Sequence, residues 1–302
     1  VDEHVPERVR AALARLQSPP TSAPLRLLHE PPPREVSDDE SGVLAGWWPV
    51  PRLTEAPFWE RLAAAYSAGL ETPHLPVGGA CGLQHYAGRL VLAVLGQHYA
   101  GRLVLAVLGA WVQTGHLPPL AHERWWMRLD ENGHTLDVGL LAPVEVWTST
   151  APGEPMDVEG SANALLTGHF GPIVEAARSA TRITARLAYG CVAASRAGAF
   201  ASLHRRAVPE DRVRVRDVAE RFLRAGAWPD PDRTVTFTEI GLPQTSALVH
   251  ERRTCCLIRL GTGHAACSSC PDIPREERWP RLVAAAASRD QASDLRVVVG
   301  RG

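Results

Sequence analysis

Residues 122–141 read HERWWMRLDENGHTLDVGLL. Two strand-like runs flank Asp130-Glu131-Asn132-Gly133, and Asn-Gly is a strong tight-turn signal because both residues tolerate positive φ. The stretch predicts a β-hairpin, His122–Leu129 with His134–Leu141. Trp125 and Trp126 fall on opposite faces of the first strand, which directs one to the core and leaves the other for contact. His122 and His134 flank the hairpin, where surface roles are expected.

Outward from the hairpin the pattern is mostly helical. Apolar residues recur at helical spacing over Val5–Leu16, Thr54–Leu70 and Val213–Ala225, with Thr54 in N-cap position. Residues 169–206, rich in Ala, Arg, Ile and Leu, read as one or two buried helices, and Trp279–Ser288 as another. Val144–Thr148, Thr234–Glu239 and Arg296–Val299 look strand-like. The expected class is α+β, predominantly helical, with a small antiparallel sheet and a C-terminal cysteine loop. Ser18-Pro19-Pro20, Pro31-Pro32-Pro33 and Asp38-Asp39-Glu40 read as linker. The expected division is therefore 1–45, an N-terminal helix and Pro-rich linker; 46–245, a helix-rich body with the hairpin; and 246–302, the cysteine segment.

Residues 84–96, QHYAGRLVLAVLG, recur unchanged as 97–109. Thirteen residues do not complete whole helical turns, so the second copy cannot face the neighbours of the first. The repeat reads as a recent duplication or a sequence-level error rather than a functional device.

Composition narrows the chemistry. The 302 residues carry a formal net charge of −1, which provides no basic field for nucleic acid. Every basic side chain apart from histidine is arginine, which excludes lysine Schiff bases and a Walker A lysine. No basic segment followed by an apolar core opens the chain, and the longest apolar candidate, 83–112, is broken by Arg89 and Arg102. A soluble, reducing, cytoplasmic setting is expected, where clustered cysteines are more often ligands or redox groups than disulfides.

Four of the six cysteines fall within the stretch RRTCCLIRLGTGHAACSSCP, residues 252–271: Cys255, Cys256, Cys267 and Cys270. Thiolates are soft ligands that suit iron–sulfur clusters and zinc. The C-x-x-C turn converges two sulfurs, and Gly261 and Gly263 let the intervening loop fold back. Zinc sites usually pair two separated Cys-x₂₋₄-Cys knuckles, whereas adjacent cysteines diverge and suit an object wider than one ion. The spacing thus favours a [2Fe–2S] cluster, with a four-cysteine zinc site and a disulfide left open. Arg252, Arg253, Arg259 and His264 are placed to offset cluster charge. Cys81 and Cys191 read as buried small residues rather than ligands. Gly261-x-Gly263-x-x-Ala266 copies a dinucleotide fingerprint but lacks the strand–helix context, so electrons must come from a partner protein.

The Cys-Cys, ten-residue, Cys-x-x-Cys spacing with its leading Arg-Arg and trailing Pro resembles the C-terminal signature of the FhuF-type ferric-siderophore reductases. Tyr99–Leu120 with the Asp130–Gly133 turn, and residues 169–200, are similar to further stretches of that family, over roughly residues 50–275. Tyr189-Gly190-Cys191 stands where members usually have Trp-Gly-Asn, and Leu257-Ile258 replaces an aromatic pair. The resemblance implies that Cys255, Cys256, Cys267 and Cys270 hold a [2Fe–2S] cluster in an oxidoreductase. It implies reduction of Fe(III) in a siderophore, of the hydroxamate type in the first instance. The implied partners are the ferric siderophore, a protein electron donor (a ferredoxin or reductase) and, transiently, a membrane transporter; no catalytic side chain is indicated. The alternative is a non-enzymatic, zinc-stabilised binding protein in siderophore handling.

Overall fold

The computed structural model describes residues 5–17, 25–32, 44–91, 108, 111–143, 147–149, 157–225, 234–243, 245–261, 263 and 265–288. The hairpin forms as its turn chemistry dictates. Gly133 takes φ +78°, and the Asp130 carboxylate accepts from the backbone N–H of Asn132 (3.0 Å) and of His134 (2.7 Å). The strands are shorter than the alternation suggested. Residues His122–Arg124 form a 3₁₀ turn, and the first strand begins at Trp125.

Four strands make the main sheet: β1 (Leu25–Leu27), β2 (Gly46–Pro49), and two hairpin strands. The order is β1, Thr135–Leu140, Trp125–Leu129, β2; β1 runs parallel to its neighbour and the other pairs are antiparallel. A short pair, β3 (His116–Leu117) with Thr148–Ser149, lies apart; with the hairpin strands as β4 and β5, the latter is β6. Trp125 is fully buried and Trp126 partly exposed, as the strand period requires.

Helices supply the rest. They are α1 (Val5–Gln17), α2 (Ala56–Gly69), α3 (Leu75–Val91), α4 (Val158–Asn163), α5 (Gly171–Thr181), α6 (Ala185–Arg206), α7 (Arg212–Arg224) and α8 (Arg275–Ala287). Predominantly helical α+β is therefore the class. Thr54 does not cap α2; it ends a 3₁₀ turn and its hydroxyl donates to the Pro51 carbonyl at 2.7 Å, leaving Glu55 at the cap. Thr184 caps α6 by accepting from the Leu187 N–H. Of the second repeat copy Leu108 alone is described. The expected strand at Arg296–Val299, residues 144–146 of the one at Val144–Thr148, and the linker residues 18–20, 33 and 38–40 lie outside the described residues.

The core gathers Trp59, Trp111, Trp125, Tyr86, Phe170, Phe200 and Phe222, all fully buried. Helix α6 runs through it, and its small residues from Gly190 to Ala201 let α3, α7 and a second hairpin approach closely. That hairpin pairs β7 (Val235–Leu242) with β8 (Thr245–Arg252). Between α4 and α5 the chain makes a π-helical turn, Ala164–Phe170, which carries His169 inward. His169 is fully buried: its Nδ1–H donates to the Leu120 carbonyl at 2.7 Å, so its Nε2 accepts from the Tyr86 hydroxyl at 3.0 Å. His122 donates to the His169 carbonyl at 2.6 Å, so it braces this network from the hairpin's edge.

Candidate metal centre

The β7–β8 hairpin delivers the chain to the cysteine loop, and α8 closes it from the far side. Arg278 of α8, itself buried, donates to the Cys270 carbonyl at 3.2 Å and to the Glu251 carboxylate of β8 at 3.1 Å. Arg275 adds two contacts to Glu251 at 3.2 Å. Burial raises the Glu251 carboxyl, but the two guanidiniums outweigh it and hold the group below the usual carboxylate range. The loop is thus clamped between a strand and a helix.

Within it, Cys255 and Cys270 bring their sulfurs to 4.0 Å, and these atoms lie with an Asp272 carboxylate oxygen within 4.8 Å of one another. A metal ion fits that donor set. Cys256 and Cys267 stand outside this group. Cys255 is half-buried, whereas Cys256 turns inward at 5% exposure. Burial raises the pKa of the Cys267 thiol.

Backbone strain serves the sulfurs. Leu257 adopts φ +64°, in the left-handed region that costs a side-chain-bearing residue about 1–2 kcal/mol. In that conformation its N–H donates to Cys255 Sγ at 3.3 Å. Outside the loop the charge is met by Arg252, 4% exposed, whose Nη2 donates to Gln84 Oε1 at 3.0 Å. Burial alone would lower this guanidinium's pKa; the neighbouring sulfurs, that of Cys256 first, reverse that and leave it raised. The Cys256 thiol is driven well down by a hydrogen bond from Cys81 and by Arg252, whereas burial pushes Cys255 up to about 12.

Cys81 and Cys191 are buried, as expected of small core residues, yet both lie beside the loop. Cys81 Sγ donates to the Cys256 carbonyl at 3.4 Å, and burial raises Cys191 to about 12. Gly190 makes this possible, since a methyl there would overlap the Thr254 side chain. All six cysteines therefore meet around Arg252 and the loop. Of the arginines expected to offset charge, Arg252 is buried beside Cys256, Arg259 pairs with Asp272 at 2.7 Å, and Arg253 is exposed; His264 lies outside the described residues.

Asp272 and Arg278 were not legible as site residues. Asp272 follows a proline two residues after Cys270, and that proximity was the one available signal. Among the described residues no helix is long and apolar enough to cross a membrane. Compared with protein-family models and with curated proteins, the chain matches none.

Proposed function

We propose that this chain is an oxidoreductase whose Cys255, Cys256, Cys267 and Cys270 hold a [2Fe–2S] cluster, and that its substrate is Fe(III) chelated in a siderophore. When bound, such a cluster supplies a one-electron couple. The observation that carries the reading is the receptor for negative charge: the buried Arg252 guanidinium lies beside the sulfurs, and the Leu257 N–H donates to Cys255 Sγ. A buried cation lacking anions would be costly, and four thiolates with their metal core provide a net negative partner.

The chain's own residues then have defined tasks. Leu257 holds sulfur charge by N–H donation, Arg252 compensates it from inside, and the Glu251–Arg278 clamp fixes the loop. The siderophore assignment rests on the FhuF resemblance and on coordination chemistry. Hard oxygen chelators favour Fe(III), so a single electron loosens the iron, and for a one-electron couple each ~59 mV changes the equilibrium about tenfold.

A second reading is favoured by the Cys255–Cys270–Asp272 group, which suits one zinc ion in a binding protein of siderophore handling. Oxygen-free purification separates the two. Visible absorbance with a reduced-state EPR signal supports the cluster, and a colourless protein with stoichiometric zinc rejects it. Cys267→Ser, outside the three-residue group, should abolish colour and ferric-siderophore reduction together under the first reading and spare zinc under the second.

A further inference from the structure

Asp272 has no part in the four-cysteine reading, yet the local chemistry of the chain brings it to the sulfurs. Pro271 follows Cys270, and its fixed φ suits the second position of a tight turn. The turn closes where the Ile273 N–H donates to the Cys270 carbonyl at 3.2 Å. Arg278, buried in α8, braces it by donating from Nη1 to the Cys270 carbonyl at 3.2 Å and to the Ile273 carbonyl at 3.4 Å. From the other end of the loop, thirteen positions away in sequence, Arg259 Nε donates to Asp272 Oδ2 at 2.7 Å. The Leu257 N–H meets Cys255 Sγ at 3.3 Å. Each of the three residues is thus placed by a contact of its own.

Cys255 Sγ, Cys270 Sγ and an Asp272 carboxylate oxygen lie within 4.8 Å of one another. The set grades from interior to solvent: Cys270 is 2% exposed, Cys255 is half-buried and the Asp272 side chain is 42% exposed. Two thiolates with one carboxylate match borderline divalent ions such as Zn²⁺, Fe²⁺ and Co²⁺. Arg259 leaves the carboxylate free to ligate, since two oxygens offer about four acceptor sites and its Nε–H fills one. Three protein ligands keep the fourth tetrahedral position open to water or another donor, whereas structural zinc sites close all four.

We infer that Asp272 is a metal ligand, and that Cys255, Cys270 and Asp272 form an open, exchangeable loading site for one borderline divalent cation. Binding makes two sulfur–metal bonds and one oxygen–metal bond, and the two thiol protons pass to solvent. The exposed carboxylate is the donor that an incoming hydrated ion meets first, and the buried Cys270 sulfur is the last. Such a site differs from a structural zinc centre, because its ion is held for exchange and not for the fold. Under the proposed function the ion is the first iron of the cluster, and that identification alone rests on the proposed function.

The test titrates Co²⁺ into the full, thiol-reduced chain without oxygen, and reads the visible bands and the sulfur-to-cobalt charge transfer. Asp272→Ala should weaken Co²⁺ binding at least about tenfold, with the charge-transfer intensity per bound ion and the circular dichroism unchanged. Cys270→Ser should lower that intensity by about half, as one of two thiolates is lost. A chelator should strip the ion from the parent chain with the helical signal kept, as an exchangeable site requires. Equal affinity of Asp272→Ala and parent reduces Asp272 to a partner of Arg259 and overturns the inference. So does an intensity that Cys270→Ser lowers by only about a quarter, the mark of a closed four-cysteine site. Helix lost on chelation, the mark of a structural ion, overturns it as well. Because Co²⁺ binding is read without sulfide or reductase activity, a chain that passes this test and holds no cluster fails the proposed function alone.

Discussion

At the scale of single residues, charge compensation decides the site. Arg252 faces the Cys256 sulfur from inside the protein, where removing one partner of a buried pair is expensive, about 3–5 kcal/mol. Arg252→Met should therefore lower iron retained per chain and shift the midpoint potential downward, read by metal analysis and a redox titration. Unchanged values would mean the sulfurs do not depend on this cation. Leu257→Gly removes a strained φ and should raise stability, offset in part by lost side-chain packing. Denaturant midpoints would register it, and the N–H to Cys255 should persist. His169 carries a different expectation. Burial lowers its pKa to about 3 from an ordinary 6.5, so the unfolded chain takes up a proton that the folded chain refuses. The stability it contributes is whole above pH 6.5 and drains away as pH falls toward 3. His169→Gln should flatten the loss of stability between these limits, and an equally steep acid slope would contradict the assignment.

At the scale of elements, packing of α6 on the loop sets the geometry. Gly190→Ala should force the Thr254 side chain away and destabilise the fold by about 1–3 kcal/mol, with weaker metal retention. Adding Thr254→Gly should restore both, and a double-variant cycle of thermal melts would show the coupling. What the sequence revealed at this scale follows the same physics. The hairpin was legible because Asp130 and Asn132-Gly133 specify their turn locally, α6 because its composition is Ala-rich, and α7 because its apolar residues recur at helical spacing. The β8 strand was not. It is covered by α6 on one side and α8 on the other, so Ala247 to Arg252 are buried without alternation, and the period-2 signal is erased. The π-helical turn at 164–170 has no local code and is held by tertiary bonds of His169.

At the scale of the whole molecule, the centre is assembled from distant parts of the chain. The cysteine spacing was legible because the four residues sit within one stretch of the sequence. The convergence of Cys81 from α3 and Cys191 from α6 was not, because no local pattern links residues so far apart in sequence. The clamp between β8 and α8 ties this assembly together. Glu251→Gln should loosen α8 and the Cys270 carbonyl contact, and hydrogen exchange should show the amides of residues 270–287 losing protection ahead of the core.

The central claim is that four cysteines of this loop surround a diiron core. Iron and acid-labile sulfide, assayed per chain on material isolated without oxygen, test it most directly. Equal amounts, about two of each, are the expected result. Zinc alone at about one per chain, with sulfide absent, would contradict it.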